Sequence, residues 1–315
     1  MKILFDTNAY RKLIEGIDLN TIDFMVNDLT SCEKEKNYTP SICNIVAYEL
    51  ISHLCDHANA TTYISCLKSC YAMRLHCNNN IFPSTTLQIS KEFYGIEFEQ
   101  EKETLCAILE ILRNVSELKD YKELSEPIKK NIASISKHIN DTENTLTEQI
   151  VRYCKKIDSC YTQWDLFIKD ESKRKKYLNY IRSEKFSEEG AFAMLYAVYN
   201  KISESKIYQI KLCTPNDIKE FIKRFSAALE LRRFFYEQIC QPNFDLTKNG
   251  RTNFLWDSQI LYYAGKTINN DPILIVTNDK QMKAAAERTN FKDAIITLDE
   301  YFKSLNFNKE KYIKA

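Results

Sequence analysis

The sequence predicts an α/β protein, with a parallel sheet flanked by helices and interrupted by a large all-helical insertion. Three observations carry this. Short apolar runs at 2–5, 273–276 and 294–298 are followed by residues that cap or begin helices. Helical periodicity with few strand signals fills the middle, roughly 58–249. The chain has only five glycines in 315 residues, which favours long helices with tight connections over a β-rich fold.

Lys2-Ile3-Leu4-Phe5 reads as a buried strand with Asp6 at its C-terminal end. Asp6, Thr7 and Asn8 are good capping residues, so a helix through Tyr10, Leu13 and Ile14 follows. A second helix covers 19–29, with Ile22, Met25, Val26 and Leu29 on one face. Tyr38-Thr39-Pro40-Ser41 is extended, and Ser41 is placed to cap a helix carrying Ile45, Val46, Tyr48, Glu49 and Leu50. In the middle, Leu105, Ile108, Leu109 and Leu112 share a helical face, as do Phe192, Leu195, Tyr196 and Tyr199. Pro215 opens a long helix running to Ile239. Residues 254–264 read as a helix with Asp257 near its start. Pro272 introduces Ile273-Leu274-Ile275-Val276, a run typical of a central parallel strand. Thr277-Asn278-Asp279 ends that strand and caps a helix through Met282 and Ala286. The last strand, 294–298, precedes a short helix through Tyr301 and Phe302. The alternation at both ends gives a discontinuous domain, 1–57 and 250–315, around a helical insertion subdomain, 58–249.

Composition narrows the function. A net charge of +1 supplies no global field for nucleic acid, so such a site must be a local basic surface. No glycine-rich phosphate loop is present, which excludes Walker-type and dinucleotide-binding motifs. Eleven cysteines in a chain of this length do not form a disulfide framework. The N-terminal apolar run is too short for a signal peptide and no stretch approaches a membrane span, so a cytoplasmic protein with reduced thiols and no membrane partner is expected.

Four acids stand out: Asp6 after the first strand, Glu49 on the third helix, Asp257 early in a helix, and Asp279 at the end of a strand. Carboxylates gathered from distant segments repel one another and lose hydration, so a fold keeps them together when a cation sits among them. Hard oxygen ligands point to Mg²⁺ or Mn²⁺. The order and context of these acids resemble the PIN-domain nuclease family, with toxin-type ribonucleases of VapBC-like modules as the nearest relatives by motif. The matching elements are Asp6-Thr7-Asn8 after the N-terminal strand, Glu49-Leu50, Asp257-Ser258-Gln259-Ile260, and Thr277-Asn278-Asp279. They cover about 1–57 and 250–315. The departure is the distance along the chain between Glu49 and Asp257, where the small toxins have only some tens of residues.

The resemblance implies a PIN-like sheet and a metal-dependent endoribonuclease that leaves 5′-phosphate and 3′-hydroxyl ends. Asp6, Glu49, Asp257 and Asp279 would be both the catalytic and the metal-binding residues. The ion would lower the pKa of its bound water towards neutrality and polarise the phosphate. Thr7, Asn8 and Asn278 are expected to orient the carboxylates. Arg11, Lys12 and Arg251, beside the acids, are placed to contact phosphates, and Tyr10 to stack on a base.

Other motifs weigh less. His53 and His57 share a helix face at zinc-ligand spacing, with no third ligand. Cys66, Cys70 and Cys77, with His76 alongside, read as small core residues. The basic runs 172–176 and Arg232-Arg233 are solvated helix faces or, alternatively, an RNA clamp. A regulatory protein or antitoxin bound through the insertion, as in a toxin or phage-defence effector, fits the architecture, and the oligomeric state is open, a dimer among the options. The rival functions are a catalytically silent PIN fold serving as a nucleic-acid or protein binding module, and a structure-specific DNA nuclease.

Overall fold

The computed structural model describes residues 1–55, 60–97, 100–117, 124–160, 169–204, 208, 210–241, 244 and 253–313. Its strands are short: β1 (Lys2–Phe5), β2 (Thr39–Pro40), β3 (Thr267–Ile268), β4 (Asp271–Val276) and β5 (Ile295–Ile296). β1 pairs in parallel with β2 and with β4, Lys2 lying opposite Ile273 and Phe5 opposite Val276. β4 also pairs in parallel with β5 and antiparallel with β3, so the sheet is mixed. The two ends of the chain thus build one sheet, and the Asp6 amide continues the β1 ladder by donating to the Val276 carbonyl at 3.1 Å.

The first helices are α1 (Thr7–Ile14), α2 (Leu19–Glu35), α3 (Asn44–Ser52), α4 (Ala60–Cys77), α5 (Thr85–Ile89), α6 (Gln100–Glu117) and α7 (Glu126–Ile157). They are followed by α8 (Glu171–Ile181), α9 (Glu184–Glu204), α10 (Pro215–Arg224), α11 (Ser226–Gln238), α12 (Phe254–Leu261), α13 (Lys280–Glu287) and α14 (Leu298–Leu305). A single apolar core runs from the sheet through α1–α7 and back through α9–α14. A smaller one gathers Ile150, Cys154, Tyr177, Ile181, Phe186, Tyr236 and Ile239. Within the expected insertion, α4 lies against α1 and α2, with Cys66, Cys70, Met73 and Cys77 fully buried, so these thiols are core residues as their spacing suggests. Among the described residues no helix is long and apolar enough to cross a membrane, and none of the cysteines is in a disulfide.

Several expected boundaries shift, each for a local reason. Ser41 does not cap α3. Its amide donates to the Ile3 carbonyl at 3.0 Å, so the chain is still part of the sheet there, and Cys43 occupies the N-cap. The expected helix from Pro215 to Ile239 is two helices, broken at Phe225, whose buried ring packs on Phe221 and Tyr262 with centroids 4.6 and 5.1 Å apart. The last strand stops at Ile296 because Thr297 and Glu300 form a capping box that starts α14. The chain uses asparagine where glycine is usual: Asn37, Asn79 and Asn306 take positive φ beside helix ends, and Asn269-Asn270 form the two-residue turn of the β3–β4 hairpin.

Gly265 is a position where only glycine fits, with φ +71° and a virtual Cβ 2.3 Å from two ring carbons of Phe291. Gly265→Ala combines left-handed strain with a clash against a ring. It is expected to destabilise the protein by about 2–4 kcal/mol, read as a lower urea midpoint at unchanged slope.

Candidate functional site

The four acids come from four elements that the fold brings to one side of the sheet. Asp6 follows β1 and is 1 % exposed. Its Oδ1 accepts from the Ala9 amide at 2.6 Å, capping α1, and its Oδ2 accepts from the Thr277 hydroxyl. Thr277 Oγ1 in turn accepts from the Asp279 amide at 2.9 Å, so one buried hydroxyl ties the ends of β1 and β4 together. Asp279 caps α13, its Oδ1 accepting from Gln281 and Met282 at 2.7 and 2.8 Å. Glu49 lies half-buried on α3 and accepts from the Thr7 hydroxyl at 2.5 Å. Asp257, in the first turn of α12, is half-buried, and no donor among the described residues reaches its carboxylate.

These surroundings disfavour ionisation. Burial raises the Asp6 carboxyl to about 7 in spite of the hydrogen bonds from Thr277 and Ala9, and the charges of Glu49 and Asp279 add to the rise. Burial likewise lifts Glu49 to about 7, opposed by the Thr7 bond and the Arg11 charge and reinforced by Glu143. Asp257 is pushed well above the carboxylate range by burial and then by the charges of Glu49, Asp279 and Asp6.

An open cleft of about 990 Å³ has one of these acids, Asp279, on its wall beside Asn8 and Asn278, while Asp6, Glu49 and Asp257 do not line it. Arg11, Lys12, Lys68 and Lys280 line it, so a locally basic surface exists in a chain of near-zero net charge. Lys68 comes from α4 and donates to the Ile17 carbonyl at 2.7 Å. Lys12 is paired with Glu15, an exposed contact of small energetic weight. Arg11 lines the cleft and its charge acts on Glu49; its Nη2 donates to Cys66 Sγ at 3.5 Å, and its Nε is buried and unpartnered among the described residues. Arg251 and His57 lie outside the described residues.

The expected roles of the neighbouring residues divide. Thr7 holds a carboxylate of the set, and Asn8 lies on the cleft wall. Asn278 does not orient an acid: its Oδ1 accepts from the Leu298 amide at 3.4 Å, at the start of α14. Tyr10 cannot stack on a base, being 1 % exposed with its hydroxyl 3.1 Å from His76 Nδ1. An apolar stripe of Tyr10, Leu13 and Ile14 on α1 turns that ring into the core. Thr277, outside the expected set, joins the site through Asp6 and the Asp279 amide, and the pattern Thr-x-Asp at a strand end is the visible signal for it. Part of the basic runs is engaged within the chain: Lys173 bonds Asp158 at 2.6 Å, Arg232 stacks over Phe186, and Arg233 bonds Glu230 and Ser187.

The donor set suits a hard divalent cation, since it consists of oxygen-only side chains, three of which burial makes reluctant to ionise. The spacing is wider than a closed site: among the described residues no three His, Cys, Asp or Glu side chains converge as ligands for one ion. No family model, curated protein or solved structure matches the chain.

Proposed function

We propose that the protein is a metal-dependent endoribonuclease of PIN-like architecture, with Asp6, Glu49, Asp257 and Asp279 as the acidic set. The observation that carries this reading is the gathering of carboxylates from residues 6, 49, 257 and 279 into surroundings that raise three of them, beside a basic cleft. For the Asp6 carboxyl, held near 7, this is roughly 4 kcal/mol of opposition to ionisation. A fold that carries this opposition at neutral pH gains it back when a cation binds. Mg²⁺ or Mn²⁺ held by these carboxylates, drawn inwards, would polarise a phosphate oxygen and acidify water. Arg11, Lys12, Lys68 and Lys280 would align the strand through its phosphates, and Thr7 and Thr277 would fix the orientation of Glu49 and Asp6. RNA as substrate and a toxin or phage-defence role rest on the motif resemblance.

A second reading, a catalytically silent binding module, is favoured by two observations: Asp6 and Asp279 both act as helix caps, and among the described residues no three such side chains converge as ligands for one ion. Metal binding separates the two. At a Mn²⁺ concentration of about 100 times Kd the nuclease reading predicts stabilisation of about 2.7 kcal/mol, a rise in melting temperature on the order of 5 °C. Asp257→Asn should abolish that rise. An unchanged melting curve in the wild type up to millimolar Mn²⁺ would favour the silent module.

A further inference from the structure

A second, smaller cavity of about 290 Å³ lies where the helical region meets the α/β layer. It is separate in its lining from the basic cleft, sharing no residue with it. Its walls include the residues next in sequence to three acids: Tyr48 beside Glu49, Trp256 beside Asp257, and Thr142 beside Glu143. Glu143, on α7, accepts from Trp256 Nε1 at 2.9 Å and its charge raises the Glu49 carboxyl. The wall of this cavity and the acidic set are therefore coupled through one side chain.

The lining is that of a site for a flat, polar-edged ring. Tyr48, His138 and Trp256 supply aromatic surface, with the Tyr48 and His138 ring centroids 6.4 Å apart. Asn44 and Gln259 supply amides and Thr86 a hydroxyl, while the Thr85 and Thr142 hydroxyls donate to the Gln259 and His138 carbonyls and present their oxygens as acceptors. Asn44 Oδ1 accepts from the Ile45 amide, so what this side chain offers a ligand is its NH₂. The volume falls at the small end of ligand pockets, which run about 300–1,000 Å³, and suits one base or nucleoside. Aromatic faces with hydrogen-bonding groups at the rim are how proteins hold an unstacked base of a single strand.

We propose that this cavity takes one nucleobase of the substrate strand, unstacked next to the scissile phosphate, and that it sets base preference. The inference rests on the nuclease reading for its substrate. It also gives the helical region, through α7, a part in reading sequence.

The test is calorimetric titration of the full chain, in EDTA, with adenosine, guanosine, cytidine and uridine, and with inorganic phosphate as a control. Nucleosides carry the base without the phosphate, so binding in the basic cleft does not imitate the result. At least one nucleoside should bind saturably at one to one, and Thr142→Phe, which fills the cavity, should weaken it by about ten-fold or more. Gln259→Ala, which removes an edge contact without adding volume, should weaken the preferred base and leave the others unchanged. In cleavage assays Thr142→Phe should flatten base preference at the cut site. Absence of binding by all four nucleosides, or equal binding to Thr142→Phe, overturns the pocket. Unchanged base preference overturns its assignment to the substrate strand. Because the titration contains no metal and reads no cleavage, its failure leaves the nuclease reading standing, and failure of cleavage leaves the titration interpretable.

Discussion

Asp6→Asn and Asp257→Asn are each expected to abolish Mn²⁺-dependent cleavage while making the protein more stable at pH 8. A bound cation supplies several kcal/mol of transition-state stabilisation, so loss of a ligand should lower the rate on the order of 10³-fold. Stability moves the other way. The Asp6 carboxyl titrates near 7 when folded and near its ordinary value when unfolded, so the folded state binds the proton more tightly between those limits. The contribution of this group is therefore intact below about pH 4 and is lost as the pH rises through 7. Asn has no proton to lose. It keeps an oxygen for the Ala9 amide and gives up the charged bond from Thr277. The value near 7 already contains the effect of that bond, so the net gain is about 4 kcal/mol at most. Urea denaturation at pH 4.5 and 8 should show the gain at the higher pH only. A variant less stable than the wild type at pH 8 would mean that Asp6 acts as an ordinary cap.

His76→Ala is expected to produce the largest loss of stability. His76 Nε2 lies 2.8 Å from Glu33 Oε1, and both side chains are essentially without solvent contact. Tyr301 donates to the same Glu33 oxygen, Tyr10 and Cys77 meet the other side of the imidazole region, and Phe5 packs edge-on against the ring at 4.8 Å. Burial alone would lower the His76 pKa, but the Glu33 charge and the hydrogen bonds the ring donates to Cys77 and Glu33 outweigh it and hold the group at about 10. Removing His76 strands the Glu33 carboxylate and should cost about 3–5 kcal/mol, whereas Glu33→Met with His76→Leu should come much closer to the wild type. The pH dependence has the opposite sense to a depressed acid. The pair's contribution is full below about 6.5 and is lost as the pH rises through 10. The wild-type melting temperature should fall between pH 8 and 10, and that of the double variant should stay flatter over the same range. Equal slopes would place the pair outside the determinants of alkaline stability.

The strand ends that carry the acids were legible because three local signals coincide there: an apolar run, a capping residue and a helical stripe. Asp6, Asp257 and Asp279 fall within a residue or two of the expected positions for that reason. What failed depends on tertiary partners. Tyr10 reads as a base-stacking residue until His76, 66 residues on, is seen against its hydroxyl. Ser41 reads as a cap until β1 claims its amide. The break at Phe225 needs Tyr262, and the buried Glu33 sits on a helix face whose partner, α4, periodicity cannot name. The Asn269-Asn270 hairpin was missed, although paired asparagines between extended segments are a direct turn signal. The spacing of the four acids is a tertiary quantity, and no pattern along the chain contains it.

The most direct test of the nuclease assignment is incubation of the purified full chain with single-stranded RNA in Mn²⁺ and in EDTA, with end-group analysis of the products. Cleavage in Mn²⁺ alone, leaving 5′-phosphate and 3′-hydroxyl ends and absent from Asp257→Asn prepared in parallel, is the predicted result. RNA left intact in Mn²⁺, or cut equally in EDTA and by Asp257→Asn, would contradict it.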